Sequence, residues 1–175
     1  TKVVGVGLTL KSSVDREVLG ISPEAAKEWQ RRTEAEFSLW AKNKANCDAT
    51  GMNNFYGMQQ LALVAWLQSG DVFPVFKRRN PTPVNPYSLR IHLVEADRVR
   101  PPAEYGGGTA VAHITDGKNP ENGNRIFDGV EVDNDGMVVA YYVHNTYPWQ
   151  TTTEPTKWTR VEAYGPRTGL PNILH

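Results

Sequence analysis

Glu131 and Asp133 are the residues of this sequence best placed to do chemistry together. One residue separates them in a predicted strand, so their carboxylates share a face and could serve as general acid and base. Asp133 also opens an Asp-Asn-Asp-Gly run that resembles the start of a calcium loop. The bidentate Glu of such a loop is missing, and apolar Met137 and Val138 stand where ligands are needed. A polar strand face and a plain hairpin turn explain these residues more simply.

The other reactive residue types are not spaced for chemistry. The histidines form no H-x-x-x-H or H-E-x-x-H pair, and each is expected to be a surface or structural residue: His92, His113, His144 and His175. Cys47 is the only cysteine, so it has no disulfide partner within the chain, and we interpret it as a small buried residue. Gly106–Gly108 lacks the Gly-Lys-Ser/Thr of a phosphate loop. The sequence therefore predicts no catalytic residue, no metal site and no cofactor.

The composition describes a folded chain with balanced charge. Its 175 residues suit a single domain, 1–175, and 39% hydrophobic residues supply a core. Nineteen basic and 19 acidic residues cancel, which argues against a sequence-independent clamp on nucleic acid. The basic run 77–79 is expected to be a solvated strand end. No apolar stretch approaches the ~20 residues that cross a bilayer, so no membrane segment is predicted.

The two ends of the chain suggest a piece of a longer polypeptide. The chain opens on Thr1 without Met, already in a strand-like pattern, and stops at Ile173-Leu174-His175. Natural domains usually end in polar tails, so we expect a fragment.

Two helices are predicted. Ser22 as N-cap and Pro23 at the first helical position start the first helix, which runs over about 23–43. Its apolar face recurs at spacings of three and four, and we expect its tryptophans in the core; the face comprises Ala26, Trp29, Thr33, Phe37 and Trp40. The second helix, about 54–68, is apolar around most of its circumference, which predicts a buried central helix.

Alternating and short apolar runs predict the strands. They are expected at about 4–11, 71–76, 88–94 and 158–163. Residues 126–143 predict one β-hairpin with a tight primed turn at Asp135-Gly136. Residues 101–124 are expected to form an exposed loop. The fold class is therefore α+β, with the two helices packed on mostly antiparallel β structure.

Five segments, in the same order, resemble the lambda-type (lambdoid) portal proteins of tailed bacteriophages. They are the V-V-G-x-G-L-x-L-x-S run at 3–12, Asp48-x-x-Gly51 with the helix that ends in Gly70-Asp71, Leu93-x-x-Ala96-Asp97-Arg98-Val99, the G-V-E-V-D-x-x-G stretch at 129–136 with A-Y-Y-V at 140–143, and I-L-H at 173–175.

The resemblance implies a structural protein of the virion rather than an enzyme. Members of that family form a dodecameric ring of identical subunits at one capsid vertex. The ring docks the terminase motor, passes DNA during packaging and ejection, and attaches capsid and head-tail joining proteins. The resemblance also implies synthesis in the bacterial host cytoplasm, no cofactor and no membrane partner. These segments are similar to the wing region of the family, so DNA is expected to pass through the ring without contacting this chain.

Two other classes of function stay open from the residues alone. A β-rich ligand-binding module would use Tyr141, Tyr142, Trp149 and Trp158 as an aromatic platform for sugar or peptide, and those rings would have to be exposed. An enzyme would need a pocket that joins Glu131, Asp133 and a histidine, with raised carboxylate pKa values.

Overall fold

The computed structural model describes residues 3–83, 85–106, 116–151, 153 and 156–175. Two compact units account for the chain, one of residues 1–64 with 77–92 and the other of residues 65–76 with 93–175. The single domain over 1–175 stays a prediction. The α+β fold class is confirmed, since the described residues contain four α-helices and two antiparallel sheets.

Both predicted helices are present, with two short ones beside them. The α-helices are α1 (Arg16–Leu19), α2 (Pro23–Lys42), α3 (Lys44–Cys47) and α4 (Phe55–Ser69). The start of α2 is the predicted one, because the Ser22 hydroxyl accepts a hydrogen bond from the Ala25 amide at 3.2 Å and Pro23 follows it. None of the helices in the described part of the chain has the length and apolar character needed to cross a bilayer.

Aromatic packing holds the first unit together. The rings of Phe37, Trp40 and Phe55 lie 5.3 to 5.5 Å apart between centroids, and the Trp40 indole donates to the Leu89 carbonyl at 3.0 Å. Trp40 is buried as predicted. The prediction for Trp29 is wrong: its side chain is 53% exposed, because no described residue covers that part of α2.

The helix α4 is not the buried central helix that its composition predicts. Met58 is its one buried residue, while four large apolar side chains are 45 to 70% exposed: Leu61, Val64, Trp66 and Leu67. Apolar residues around a whole helix indicate burial only when other elements surround it. An exposed apolar surface of this kind is typical of a region that contacts another polypeptide.

The effect of a substitution in α4 on stability should therefore depend on whether the side chain is buried rather than on how hydrophobic it is. Met58→Ala removes a side chain that is 3% exposed and should lower the free energy of unfolding by about 2 to 3 kcal/mol. Leu67→Lys alters a side chain that is 70% exposed, and it should change the free energy of unfolding by less than about 0.5 kcal/mol. Urea denaturation of both variants measures the difference, and equal losses would contradict the exposed face.

Seven strands lie in the described residues. A two-stranded sheet pairs β1 (Val72–Arg78) with β2 (Leu89–Glu95), and a five-stranded sheet follows the order β3-β4-β5-β6-β7. The members of the larger sheet are β3 (Asp116–Lys118), β4 (Arg125–Phe127), β5 (Val130–Val132), β6 (Val138–His144) and β7 (Trp158–Glu162). Every pair of neighbours in that sheet is antiparallel.

The core of the second unit joins residues from distant parts of the chain. Buried side chains of β1, β2 and β6, of the residues that follow β2 and β7, and of the end of the chain pack together: Phe73, Val75, Val94, Val99, Tyr141, Ala163 and Ile173. Ile173 forms an antiparallel bridge with Val75, and the Leu174 amide donates to the Pro74 carbonyl at 3.0 Å. Residues 172–174 thus act as a partner for β1.

The segment predicted as a single hairpin is a three-stranded meander. Asp128 and Gly129, both with positive φ (47° and 84°), form the two-residue loop between β4 and β5, so the primed turn lies there. Between β5 and β6, Gly136 alone has positive φ, and the Asp133 amide donates to the Met137 carbonyl at 3.0 Å. The primed turn predicted at Asp135-Gly136 is therefore wrong, because one more residue in that loop favours a type I turn closed by a left-handed glycine.

The strand predicted at 4–11 is absent from the structure. Residues 3–6 form a turn, and Gly5 and Gly7 have positive φ, which an extended strand does not allow. The amide side chain of Gln59 on α4 bonds to both backbone groups of Leu8, at 2.6 and 3.1 Å. Val3, Val6 and Leu8 are 78 to 87% exposed. Side-chain contacts rather than a strand ladder hold this segment.

The predicted exposed loop at 101–124 is partly structured where it is described. It contains a 3-10 turn at Ala103–Tyr105, the edge strand β3 and the buried residue Asn119. Residues 107–115 lie outside the described residues, as does the histidine that the sequence places there, His113.

Candidate functional site

A buried carboxylate is the polar centre of the five-stranded sheet. Glu131 lies in the middle of β5 and is 0% exposed, whereas its neighbours Val130 and Val132 are half-buried. The strand register places Tyr142 of β6 directly opposite Arg160 of β7. Both side chains reach the Glu131 carboxylate. The polar position of the alternating pattern is thus the one that faces inward, so the predicted polar strand face is buried at Glu131.

Five residues donate six hydrogen bonds to this carboxylate. Arg160 binds it through two nitrogens, Nε at 2.8 Å from Oε2 and Nη2 at 3.0 Å from Oε1. The Tyr142 hydroxyl donates at 2.7 Å. Three amide side chains from the turn between β3 and β4 complete the set: Asn122 at 2.7 Å, Asn124 at 2.9 Å and Asn119 at 3.3 Å. We call Glu131 and these five donors the Glu131 network.

The network keeps Glu131 ionised. Burial by itself favours the neutral acid, but the hydrogen bonds from Arg160, Tyr142 and the asparagines outweigh it and hold the pKa of Glu131 far below its ordinary value. Burial and the nearby carboxylate raise the pKa of Tyr142 above its ordinary value. A carboxylate enclosed by donors has no free oxygen to offer a substrate, so this arrangement stabilises structure. The raised carboxylate pKa that the enzyme hypothesis requires is not found at Glu131.

A second polar cluster fixes the segment 97–100 against the end of β6. The Arg98 Nε donates to the His144 carbonyl at 3.0 Å, and the His144 Nε2 lies 3.0 Å from the Arg100 carbonyl. Arg100 Nη1 also donates to the Thr146 carbonyl at 2.9 Å. His144 is 3% exposed, and its Nδ1 has no hydrogen-bond partner among the described residues. The Asp97-Arg98-Val99 motif is therefore an anchor for β6.

His144 should make folding stability depend on pH in a defined range. Burial and the neighbouring Arg100 lower the pKa of His144 to about 4 from an ordinary value near 6.5. Between these values the unfolded chain binds a proton that the folded chain does not, so stability should fall as pH decreases from about 6.5 to 4. We expect about 3 kcal/mol of loss from this group by pH 4. His144→Gln keeps a donor for Arg100 but cannot titrate, so urea unfolding at several pH values should give it a shallower slope over that range.

The other residues considered for chemistry do not converge on a site. Asp133 caps its own turn, since Oδ1 accepts from the Asp135 and Met137 amides at 2.9 Å. At the end of the chain, the His175 Nε2 lies 3.2 Å from the Asp71 Oδ1. His92 lies on β2. Cys47 is fully buried, as predicted, and burial raises the pKa of its thiol. Across the described residues no three His, Cys, Asp or Glu side chains are grouped as metal ligands.

The proposed aromatic platform is not formed. Tyr141 and Tyr142 are buried, and Tyr142 packs edge-on against Trp158 at 5.3 Å. Trp149 is 67% exposed and stacks on Tyr147 instead, at 5.1 Å. Because the two tyrosines belong to the core and to the Glu131 network, they cannot present their faces to a sugar or peptide. The burial of these rings contradicts the ligand-binding alternative.

Sequence reasoning missed the partners of Glu131. The sequence places Arg160 only in a strand, Tyr142 in a strand and in the hypothetical aromatic platform, and the three asparagines of 119–124 only in a loop. The asparagine-rich N-P-E-N-G-N run was the available signal, because short amides often donate to a nearby carboxylate.

In these features, buried charge fixes a sheet and anchors the loops around it. The chain belongs to the lambda family of phage portal proteins, because the family model described as "Phage portal protein, lambda family" matches residues 1–175. It is also similar to the "Probable portal protein" of Halomonas phage phiHAP-1, with 25% identity over 151 residues that cover 86% of this chain. The chain spans about a quarter (25%) of the length of that curated relative. The family resemblance predicted from the sequence is confirmed.

Proposed function

We propose that this chain is the wing region of a portal subunit, and that twelve such subunits form a ring at one vertex of the capsid. The ring would provide the channel for DNA packaging and ejection, and it would dock the terminase and the head-tail joining proteins. The match of the whole chain to the family of phage portal proteins carries this proposal.

Two features of the chain support a role in assembly. The exposed apolar residues of α4, such as Trp66 and Leu67, offer a surface that another polypeptide can cover. The Glu131 network gives the second unit a rigid polar centre, which suits a subunit that must keep its shape in a ring. The zero net charge fits a region that lies away from the DNA in the channel.

Electron microscopy of the complete gene product tests the proposal. Particles with a central hole and rotational symmetry are expected, and class averages would give the number of subunits. Addition of the cognate large terminase subunit should then decorate one end of the ring. A complete gene product that stays a monodisperse monomer at all concentrations would contradict the ring.

A further inference from the structure

Asn122, one of the donors to Glu131, is followed by the residue type that least hinders deamidation. Residues 122–123 are the one Asn-Gly pair in the sequence, and both are exposed to solvent in the turn between β3 and β4. Deamidation begins when the backbone nitrogen of the next residue attacks the asparagine side chain, and glycine has no side chain that blocks this approach. The turn therefore places a reactive pair in contact with the buried carboxylate.

The other two asparagines of the network are not reactive in this way. Asn119 precedes Pro120, whose ring nitrogen carries no hydrogen to lose. Asn124 precedes Arg125, which has a bulky side chain and whose backbone already pairs with β3 and β5. Of the three, only Asn122 combines a bond to the buried carboxylate with a neighbour that can attack it.

In the closed turn, hydrogen bonds hold every group that must react. The Asn122 Nδ2 donates to Glu131 Oε1 at 2.7 Å, and the Asn122 Oδ1 accepts from the Asn124 amide at 2.9 Å. The attacking nitrogen belongs to Gly123, and it donates to the Asn119 carbonyl at 2.8 Å. Because this nitrogen must lose its proton and reach the side-chain carbon of Asn122, the turn has to open before the reaction can begin.

We propose that Asn122 is a deamidation site whose rate is set by the opening of the Glu131 network. In the open turn, the Gly123 nitrogen bonds to the Asn122 side-chain carbon. The proton that it gives up passes through solvent to the amide nitrogen, which leaves as ammonia, and a cyclic succinimide remains. Water then opens that ring to aspartate or isoaspartate. One asparagine and one water thus give one acidic residue and one ammonia, without an oxidant or a reductant.

The product would keep the turn from closing again. A carboxylate at position 122 cannot donate to Glu131, and its negative charge would face a carboxylate that is fully buried. Like charges at such a site repel each other. The reaction would therefore mark a chain whose network has opened. This inference does not depend on the proposed ring, since all of the residues belong to one chain.

Peptide mass spectrometry of the aged protein tests the site. The protein is incubated at mildly alkaline pH, either folded or unfolded in guanidinium chloride. The peptide that contains residues 122–123 should gain the mass that results when oxygen replaces the amide nitrogen. The folded protein should react at least about tenfold more slowly than the unfolded protein, because its turn must open first. Equal rates in the two states, or no reaction in the unfolded protein, would overturn the proposal.

Three variants test whether the network controls the rate. Glu131→Gln should raise the rate at Asn122 in the folded protein at least about fivefold, because the acceptor loses its charge and keeps one acceptor oxygen. Asn124→Ala removes one bond from the same turn without changing charge, and it should raise the rate about two- to fivefold. Glu162→Gln removes an equal charge from an exposed position, and it should leave the rate unchanged. If neither network variant reacts faster than Glu162→Gln, the network does not govern the reaction.

A pair of substitutions at position 122 tests the effect of the product. Asn122→Asp imitates one product, whereas Asn122→Ala only removes the donor to Glu131. Asn122→Asp should melt about 2 to 4 °C below Asn122→Ala, because its added carboxylate faces the buried one. Equal melting temperatures would show that the network tolerates the new charge, and the proposed effect of the product would then be wrong.

Discussion

Replacing Glu131 with Gln is expected to lower the free energy of unfolding by about 3 kcal/mol, the lower end of the usual cost of breaking a buried ion pair. The change keeps the size of the side chain but removes the charge that five residues surround. It leaves the Arg160 guanidinium with only the exposed Glu162 carboxylate at 3.9 Å, and it turns a donor toward the asparagine amides or the Tyr142 hydroxyl. Arg160 is 30% exposed, so water recovers part of the loss.

Urea denaturation at neutral pH measures this effect, and Glu162→Gln is the matched control. Glu162 lies on β7 with Arg160, is 51% exposed and sits 3.9 Å from that arginine, so its neutralisation should cost less than about 0.5 kcal/mol. Hydrogen exchange should also rise in the 119–124 turn of Glu131→Gln, because the glutamine amide offers the three asparagines there one acceptor oxygen instead of two. If both variants lose equal stability, the Glu131 network does not hold the sheet.

Replacing Gly129 with Ala should lower the free energy of unfolding by about as much as Glu131→Gln does, for a different reason. The positive φ of 84° is strained for alanine by about 1 to 2 kcal/mol. An added Cβ would also lie 2.7 Å from the Arg100 Cα and the Val99 carbonyl carbon, and it would clash with the Arg100 amide nitrogen. Neither backbone can move freely, because the Arg100 amide bonds to Tyr142 and the Tyr142 amide bonds to Gly129. We expect a total loss of about 3 kcal/mol.

Gly136→Ala isolates the contribution of the backbone angle. Gly136 has nearly the same φ, 85°, but nothing lies within 4 Å of an added Cβ. Gly136→Ala should therefore lower the free energy of unfolding by only about 1 kcal/mol, as expected for backbone strain alone. Chemical denaturation of both variants gives the difference between their unfolding free energies. That difference measures the clash of the added Cβ in the 128–129 turn with residues 99–100. A Gly129→Ala variant no less stable than Gly136→Ala would show that this contact can relax.

Features set by neighbouring residues were predicted correctly from the sequence. Ser22 and Pro23 fix the start of α2 through bonds within one turn, and the apolar run of β6 needs no distant partner to be recognised. The two Asp-Gly dipeptides show the limit of this reasoning. Asp128-Gly129 and Asp135-Gly136 have the same letters but adopt different turns, because the strand register sets the loop length.

Burial could not be predicted where it depends on distant parts of the chain. Glu131 is buried because Arg160 and Asn119 meet it from separate elements, and nothing in its own neighbours indicates that. The reverse holds for Leu67 of α4, which is apolar yet exposed because no described element covers it. The resemblance to portal proteins did locate the decisive stretch. Its motif residues Gly129, Glu131 and Arg98 are the ones that the turn contact, the buried network and the β6 anchor require.

The bridge between Val75 and Ile173 also sets the order of events during synthesis. The core of the second unit contains both residues, so it stays incomplete until the ribosome has released almost the whole of that unit. Long-range pairing of this kind slows folding, because the intervening chain must be ordered before the contact forms. Until residues 172–174 have emerged, Phe73 and Val75 therefore lack part of the core that buries them in the folded unit.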